Sequence, residues 1–291
     1  MHIRTPGDKL VDLFLYIMLG LFALVCVLPF ISTVVSSFTS SEELMQRGFV
    51  FVPRSPTLDA YRYIFAAQTI PRSLMVTVYI TIMGTAVSMI MTVTMAYALA
   101  HEELRGRKII MFMVIFSMQF SGGMIPTFIL VRALGMLDSF SALIIPSAIA
   151  AFNLIIMKNA FQQIPKELGE SARIDGATDL RIMWSIMLPV STATLATLTL
   201  FYAVSNWNTM FSAILYIQRA ENWPIQVLLR SIVILATGAA GDGTDLDPDV
   251  VIPSQTIKNA VIVIATMPIL MVYPFLQKHF TKGVLVGSIK G

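Results

Sequence analysis

The sequence predicts an all-α membrane protein of six transmembrane helices with both termini on the cytoplasmic side. Three observations predict it. Of the 291 residues, 56% are hydrophobic and 13% charged, about half the charge a soluble domain carries. So little charge cannot cover a water-facing surface, and disorder needs the opposite composition. The 37 charged residues leave six charge-free stretches, 13–41, 73–101, 109–131, 139–157, 182–218 and 259–277. Each can hold the roughly 20 apolar residues that cross a bilayer. Lys and Arg then set the orientation: with the N-terminus inside, twelve fall in inner segments and eight in outer ones, as the positive-inside rule requires.

The first helix covers about 10–38. Its apolar run is too long for a signal peptide, and no small-residue cleavage site closes it before Glu42, so it reads as a permanent span. Cys26 lies within it and, as the single cysteine, cannot form an intrachain disulfide. The outer loop 39–72 follows, where Pro53, Pro56 and Pro71 stand among Phe49, Phe51, Tyr61, Tyr63 and Phe65. That composition suits a compact loop on the membrane surface. Helices over 73–100, 109–131 and 139–157 come next, then a charged inner loop, 158–181, and a fifth helix over 182–206. Pro29, Gly84, Pro146, Pro189 and Pro268 fall inside apolar stretches, which lipid tolerates better than water does. No strand alternation of a membrane barrel is present.

The second outer loop, 207–257, begins apolar, with Trp207, Tyr216 and Trp223 at interface-like positions. Short helices along the outer face are expected there. It continues through an acidic, glycine-rich run at 238–249. Asp245, Asp247 and Asp249 are spaced like part of a calcium loop, but the turn glycine and the closing glutamate are missing. The run reads as solvated, and no metal is expected. The sixth helix covers 258–277, completing one transmembrane domain, 1–291.

Several chemistries lack their residues. The chain has no G-x-x-x-x-G-K-[ST], G-x-S-x-G or H-E-x-x-H pattern. His2, His101 and His279 lie near span boundaries without metal-ligand spacing. A net charge of +3 is too small and scattered for nucleic-acid binding. No Asp or Glu lies in the middle of a span, where ion-coupled carriers commonly place one.

Residues 158–181 carry eight charges. Pro165 sits at a helix start, Glu167 and Glu170 complement the positive end of the dipole, and Arg173 lies further on. Gly176 permits a left-handed stop, and Thr178 or Asp179 can cap a second helix running into the fifth span. Ala172 and Gly176 leave the surface shallow enough for close approach by another protein.

Glu170-Ser171-Ala172, three residues, Gly176, nine residues, Ile186, one residue and Leu188-Pro189 resemble the E-A-A-x3-G-x9-I-x-L-P signature of ABC-importer permeases. Ser171 stands for the middle alanine, a small-for-small departure. Asp175-Gly176-Ala177 preceded by Ile164-Pro165 is similar to the carbohydrate branch of that family. Ser121-Gly122-Gly123-Met124-Ile125-Pro126 and Tyr273-Pro274-Phe275-Leu276-Gln277-Lys278 are similar to a subgroup handling larger or modified saccharides. The ending Lys282-Gly283…Gly287-Ser288-Ile289-Lys290-Gly291 is similar to a MalG-type tail. Over its whole length the chain thus resembles the MalG-type permease subunit of bacterial oligosaccharide or polysaccharide importers.

The resemblance implies a type I ABC-importer permease fold in the bacterial cytoplasmic membrane. It implies a second permease subunit, two copies of an ABC ATPase, an extracytoplasmic solute-binding protein, surrounding lipid and a saccharide substrate, with no nucleic acid. ATP and magnesium would reside on the ATPase, and no cofactor or catalytic residue on this chain. Helix 166–175 would be the coupling helix, with Glu170, Ser171, Ala172 and Gly176 seated on the ATPase. Ile186, Leu188 and Pro189 would lever the fifth span, or else form a packed kink. The tail, Lys290 and Gly291, would reach toward the ATPase interface.

Saccharide sites combine polar groups with aromatic faces, which singles out Gln119 and Ser121 in the third helix, Asn153 in the fourth, and Tyr202, Asn206, Trp207 and Asn208 in the fifth. Gln119 and Asn153 serve equally as interhelical hydrogen-bond partners between subunits, and Trp207 as an interface anchor. An importer of another solute, a polytopic enzyme and a docking scaffold are the other readings.

Overall fold

The structure, a computed structural model, describes residues 6–236 and 254–288. Helix α1 (Pro6–Ser37) continues through Pro29, whose carbonyl accepts from Thr33 Oγ1 at 2.9 Å. The loop expected over 39–72 contains two helices, α2 (Ser41–Arg47) and α3 (Asp59–Ala66). Ser40 caps α2 by accepting from the Glu43 N–H at 3.3 Å, and Gly48 ends it at φ 65°. Helix α4 (Thr69–Ala100) follows.

The long apolar stretches beyond α4 are broken. The stretch 109–131, expected as one helix, holds α5 (Arg107–Gln119) and α6 (Met124–Ala133), which meet at 120° across Gly123 at φ 86°. The stretch 139–157 holds a short α7 (Ser141–Ile144) and α8 (Ala151–Gln162), with Pro146 between them and Ala150 extended. Next come α9 (Lys166–Ile174) and α10 (Asp179–Ile182), a π-turn (Met183–Met187), α11 (Leu188–Val190) and α12 (Thr192–Trp207). The segment Asp179–Val190 meets α12 at 88°. The turn widens just ahead of Pro189, which has no N–H to return to the carbonyl of residue 185. The chain then forms α13 (Phe211–Tyr216), a 3₁₀ turn (Ala220–Asn222), α14 (Ile225–Ala236) and α15 (Gln255–Ser288). A charge-free run reports an apolar environment and not continuity; glycine and proline decide where the helix turns.

Side chains from other helices satisfy the backbone freed at these breaks, a condition for irregular backbone in a membrane. The Ala150 N–H donates to the Tyr202 hydroxyl at 3.1 Å, which also bonds Thr92 Oγ1 at 2.7 Å. The Ile225 N–H, just after Pro224, donates to Thr77 Oγ1 at 2.7 Å. Helices α4 and α12 approach closely at Gly84, where a Cβ would lie 2.9 Å from the Asn206 side chain. Small residues serve this purpose in lipid, where burial alone does not draw helices together.

The chain divides into two compact units, Met1–Ile70 with Leu229–Thr266, and Pro71–Leu228 with Met267–Gly291. In the first, Glu43 is buried and its carboxylate accepts from the backbone N–H of Arg54 (3.0 and 3.1 Å) and Ser55 (3.2 Å). Arg47 Nη1 completes the cluster at 2.7 Å. In the second, one core joins Val93, Ala96 and Leu99 of α4 to Leu154, Met157 and Phe161 of α8, with Met183 and Leu198. Another joins Ile80 of α4 to Val131, Leu143, Ala213 and Tyr216. The acidic run 242–249 and the tail residues Lys290 and Gly291 lie outside the described residues.

Candidate functional site

Helix α9 buries none of its nine residues fully. Its bounds match the expected 166–175 closely, although Pro165 falls one position before the first turn where it was expected. Pro165 is the N-cap residue, with Glu167 in the first turn and Arg173 in the last. Gly176 stands at φ 80°. The Ala177 N–H returns to the Ala172 carbonyl at 2.9 Å and the Gly176 N–H to that of Arg173 at 3.0 Å, the paired bonds of a Schellman stop. Of the two proposed caps, Thr178 is the one used: its Oγ1 accepts from the Arg181 N–H at 3.4 Å.

The turn therefore presents Glu170, Ser171 and Gly176 to solvent. It also presents large apolar side chains that the sequence reading passed over. Ile174 is 87% exposed, Leu180 67% and Trp184 62%. Apolar residues flanking a glycine inside an otherwise charged loop were the available signal. Exposed groups of this size next to a shallow turn suit a protein partner. Ile186 falls in the π-turn, with Leu188 and Pro189 directly after it.

Between α9 and the end of α4 lies a cleft of about 310 Å³, lined by Tyr97, His101, Glu102, Lys166, Glu170 and Arg173 among others. Two bridges cross it. Lys166 Nζ donates to Glu102 Oε2 at 2.8 Å. The hydrogen bond to Lys166 holds the Glu102 carboxyl below its ordinary range, and the same bond raises the Lys166 ammonium. Arg173 Nη2 donates to His101 Nε2 at 3.2 Å and to Asp179 Oδ1 at 2.9 Å.

The residues expected along a transport pathway divide into two groups. Asn153, Tyr202, Asn206 and Trp207 are buried within the chain. Tyr202 ties α12 to α4 and α8, and Asn206 Nδ2 donates to Thr85 Oγ1 at 3.3 Å. Gln119, Ser121 and Asn208 are exposed. Asn208 accepts from Gln226 Nε2 at 3.3 Å, and Ser121 Oγ accepts from the Gly123 N–H at 3.2 Å. Burial of the first group was not legible, because an apolar stretch does not say which face of its helix meets the rest of the chain. Among the described residues no group of three or more His, Cys, Asp or Glu is placed to hold a metal ion.

The family described as binding-protein-dependent transport system inner membrane component matches residues 93–286. The polygalacturonan/rhamnogalacturonan transport system permease protein YtcP of Bacillus subtilis (strain 168) is 54% identical over 284 residues, covering 98% of this chain and 99% of that one. Protein LplC of the same organism is 50% identical over 291 residues, covering 100% and 98%. A crystal structure of a bacterial ABC transporter involved in the import of the acidic polysaccharide alginate contains a chain of the same fold. It superimposes with a TM-score of 0.86 at 32% identity, covering 96% of this chain and 100% of that one.

Proposed function

The chain belongs to the family of binding-protein-dependent transport system inner membrane components, and on that premise we propose that it forms half of the pathway of an ATP-driven saccharide importer. It is a non-catalytic membrane permease. A second permease completes the pathway, two copies of an ABC ATPase bind below, and a solute-binding protein delivers substrate from outside. ATP and magnesium sit on the ATPase. The membrane is the bacterial inner membrane, crossed six times with both termini in the cytoplasm. Relatives named for polygalacturonan, rhamnogalacturonan and alginate make fragments of acidic polysaccharides the first substrates to try.

One observation carries the reading: α9 buries nothing, ends on a positive-φ glycine and exposes Ile174 beside it. A helix so arranged is built to be covered by another protein. In this assignment Glu170, Ser171, Ala172 and Gly176 seat on the ATPase, joined by Ile174 and Leu180. Pro189 and the π-turn carry the displacement into α12, and the tail Lys290 and Gly291 approaches the ATPase interface. ATP binding then biases one of two helix packings. Gln119, Ser121 and Asn208, the exposed members of the pathway set, face substrate.

Co-purification tests the assignment. The wild-type chain is expected in a 1:1:2 complex with a sister permease and an ATPase. The Gly176→Asp variant is expected to insert in the membrane but lose the ATPase and the import of oligogalacturonides. A Gly176→Asp variant that keeps both refutes the docking role of this turn.

A further inference from the structure

Resting on the reading of α9 as the seat of the ATPase, we infer that His101 and Arg173 are positioning residues. They fasten α9 to the end of α4, so that a displacement of α9 reaches α4 as well as α12.

The end of α4 is closed with unusual completeness. The last four carbonyls of a helix have no partner within it, and here each finds one. The Tyr97 carbonyl accepts from His101 Nδ1 at 2.9 Å, and that of Ala98 from the His101 N–H at 3.4 Å. The Leu99 carbonyl accepts from Arg107 Nε at 2.9 Å, and that of Ala100 from Gln162 Nε2 at 3.3 Å. His101 supplies two of the four bonds, and its ring is held edge-on to Tyr97, centroids 4.8 Å apart. With Nδ1–H donating to a carbonyl, Nε2 carries the lone pair, and that lone pair accepts from Arg173. One imidazole thus links the α4 terminus to α9.

No fully buried apolar side chain of α9 performs that task. α9 buries no side chain, and a cleft separates it from α4. Two polar bridges, from Lys166 and Arg173, tie it to the end of α4. Those residues lie seven apart, about 10 Å along a helix. One tie would leave α9 free to swivel; two fix its direction. Arg173 is the node, since one of its nitrogens reaches both His101 and Asp179, the first residue of α10. The linkage thereby gathers α4, α9 and α10 into one unit. Exposed polar pairs add little to folding stability, so Arg173→Ala, which removes only such contacts, leaves a folded chain, whereas His101→Ala also takes the ring from the Tyr97 carbonyl.

Spin labels at Arg105→Cys and Glu167→Cys, both exposed and outside the bridges, placed in a Cys26→Ser background, read the linkage directly. The distance distribution is expected to be narrow in the chain alone. In the assembled transporter it should not change when a non-hydrolysable ATP analogue is added. His101→Ala and Arg173→Ala are expected to broaden it while still co-purifying with the ATPase. Oligogalacturonide imported per ATP hydrolysed is expected to fall by about fivefold or more. His101→Gln, whose amide oxygen can accept from Arg173, is expected to restore part of both. A wild-type distance that shifts on adding the analogue overturns the inference, as does an unchanged narrow distribution in His101→Ala. Failure of the wild-type chain to recover an ATPase counts against the docking assignment instead, because the distance in the chain alone still reads the linkage.

Discussion

In the segment 40–56 a single buried carboxylate gathers the backbone, whereas the ties from α9 to its neighbours run from side chain to side chain. Glu43 accepts from two backbone N–H groups eleven and twelve residues away. Asp138 does the same elsewhere, accepting from the N–H of Gln218 and Arg219 at 3.1 and 3.2 Å and from Arg219 Nε at 2.6 Å. Arg173 and Asp179, by contrast, join only side chain to side chain, both exposed. A carboxylate that grips backbone cannot be released without orphaning the donors it served. A side-chain pair in water can part and re-form at little cost. The first arrangement secures the fold itself; the second joins α9 to α4 as one unit while adding little to the stability of the fold.

The largest expected effect lies at Glu43. Replacing it by alanine leaves the Arg54 and Ser55 N–H groups without their acceptor, and cleavage within 48–56 by an added protease should accelerate on the order of tenfold or more. The Arg54 backbone N–H, more than any other group, holds the Glu43 carboxyl below its ordinary range. A depressed carboxyl contributes stability above its unfolded pKa and loses it as pH falls through the folded one. Protection of the wild-type loop should therefore persist at about pH 4.3, where an ordinary glutamate is half protonated, and fail only in stronger acid. Loss of protection already at mild acidity would break the contrast with α9.

At Gly176 a milder change sharpens the comparison. A Cβ there meets nothing within 4 Å, so the cost of Gly176→Ala is conformational, set by φ 80° alone. That is about 1–2 kcal/mol. It should be felt where the turn is presented and not in the fold. The thermal midpoint should move little while ATPase recovery in pull-down drops several-fold, about what 1 kcal/mol implies. An equal loss of membrane-inserted protein would place Gly176 in the scaffold instead.

Much of α9 was legible because its signals are local: a proline start, acidic first turn, glycine stop and threonine cap act within four residues of themselves. The helices α2 and α3 were less so, although Ser40 and Glu43 stand in the spacing of a capping box; aromatic and proline composition concealed it. The 120° and 88° bends were unreadable as angles, because glycine or proline marks a possible break while packing sets its direction. The His101 linkage was the least legible. It joins residues 72 apart, and no spacing rule connects them.

The smallest expected effect tests whether two ties are needed at α9. Lys166 and Glu102 are 72% and 60% exposed, and each holds the other in its charged form. Glu102 stays ionised below the usual carboxylate range and Lys166 stays protonated above the usual ammonium range, so the bridge spans neutral pH. Lys166→Gln should leave the thermal midpoint within experimental scatter, since an exposed pair contributes little to stability. With Arg173 as the remaining tie, α9 can swivel, and the 105–167 label distribution should broaden less than in Arg173→Ala. About 1 M salt, where screening acts within ~3 Å, should mimic the substitution in the wild type. Exchanging the charges, with Lys166→Glu and Glu102→Lys together, should narrow the distribution again. A thermal loss in Lys166→Gln as large as that of Glu43→Ala would mean that α9, too, is fixed scaffold.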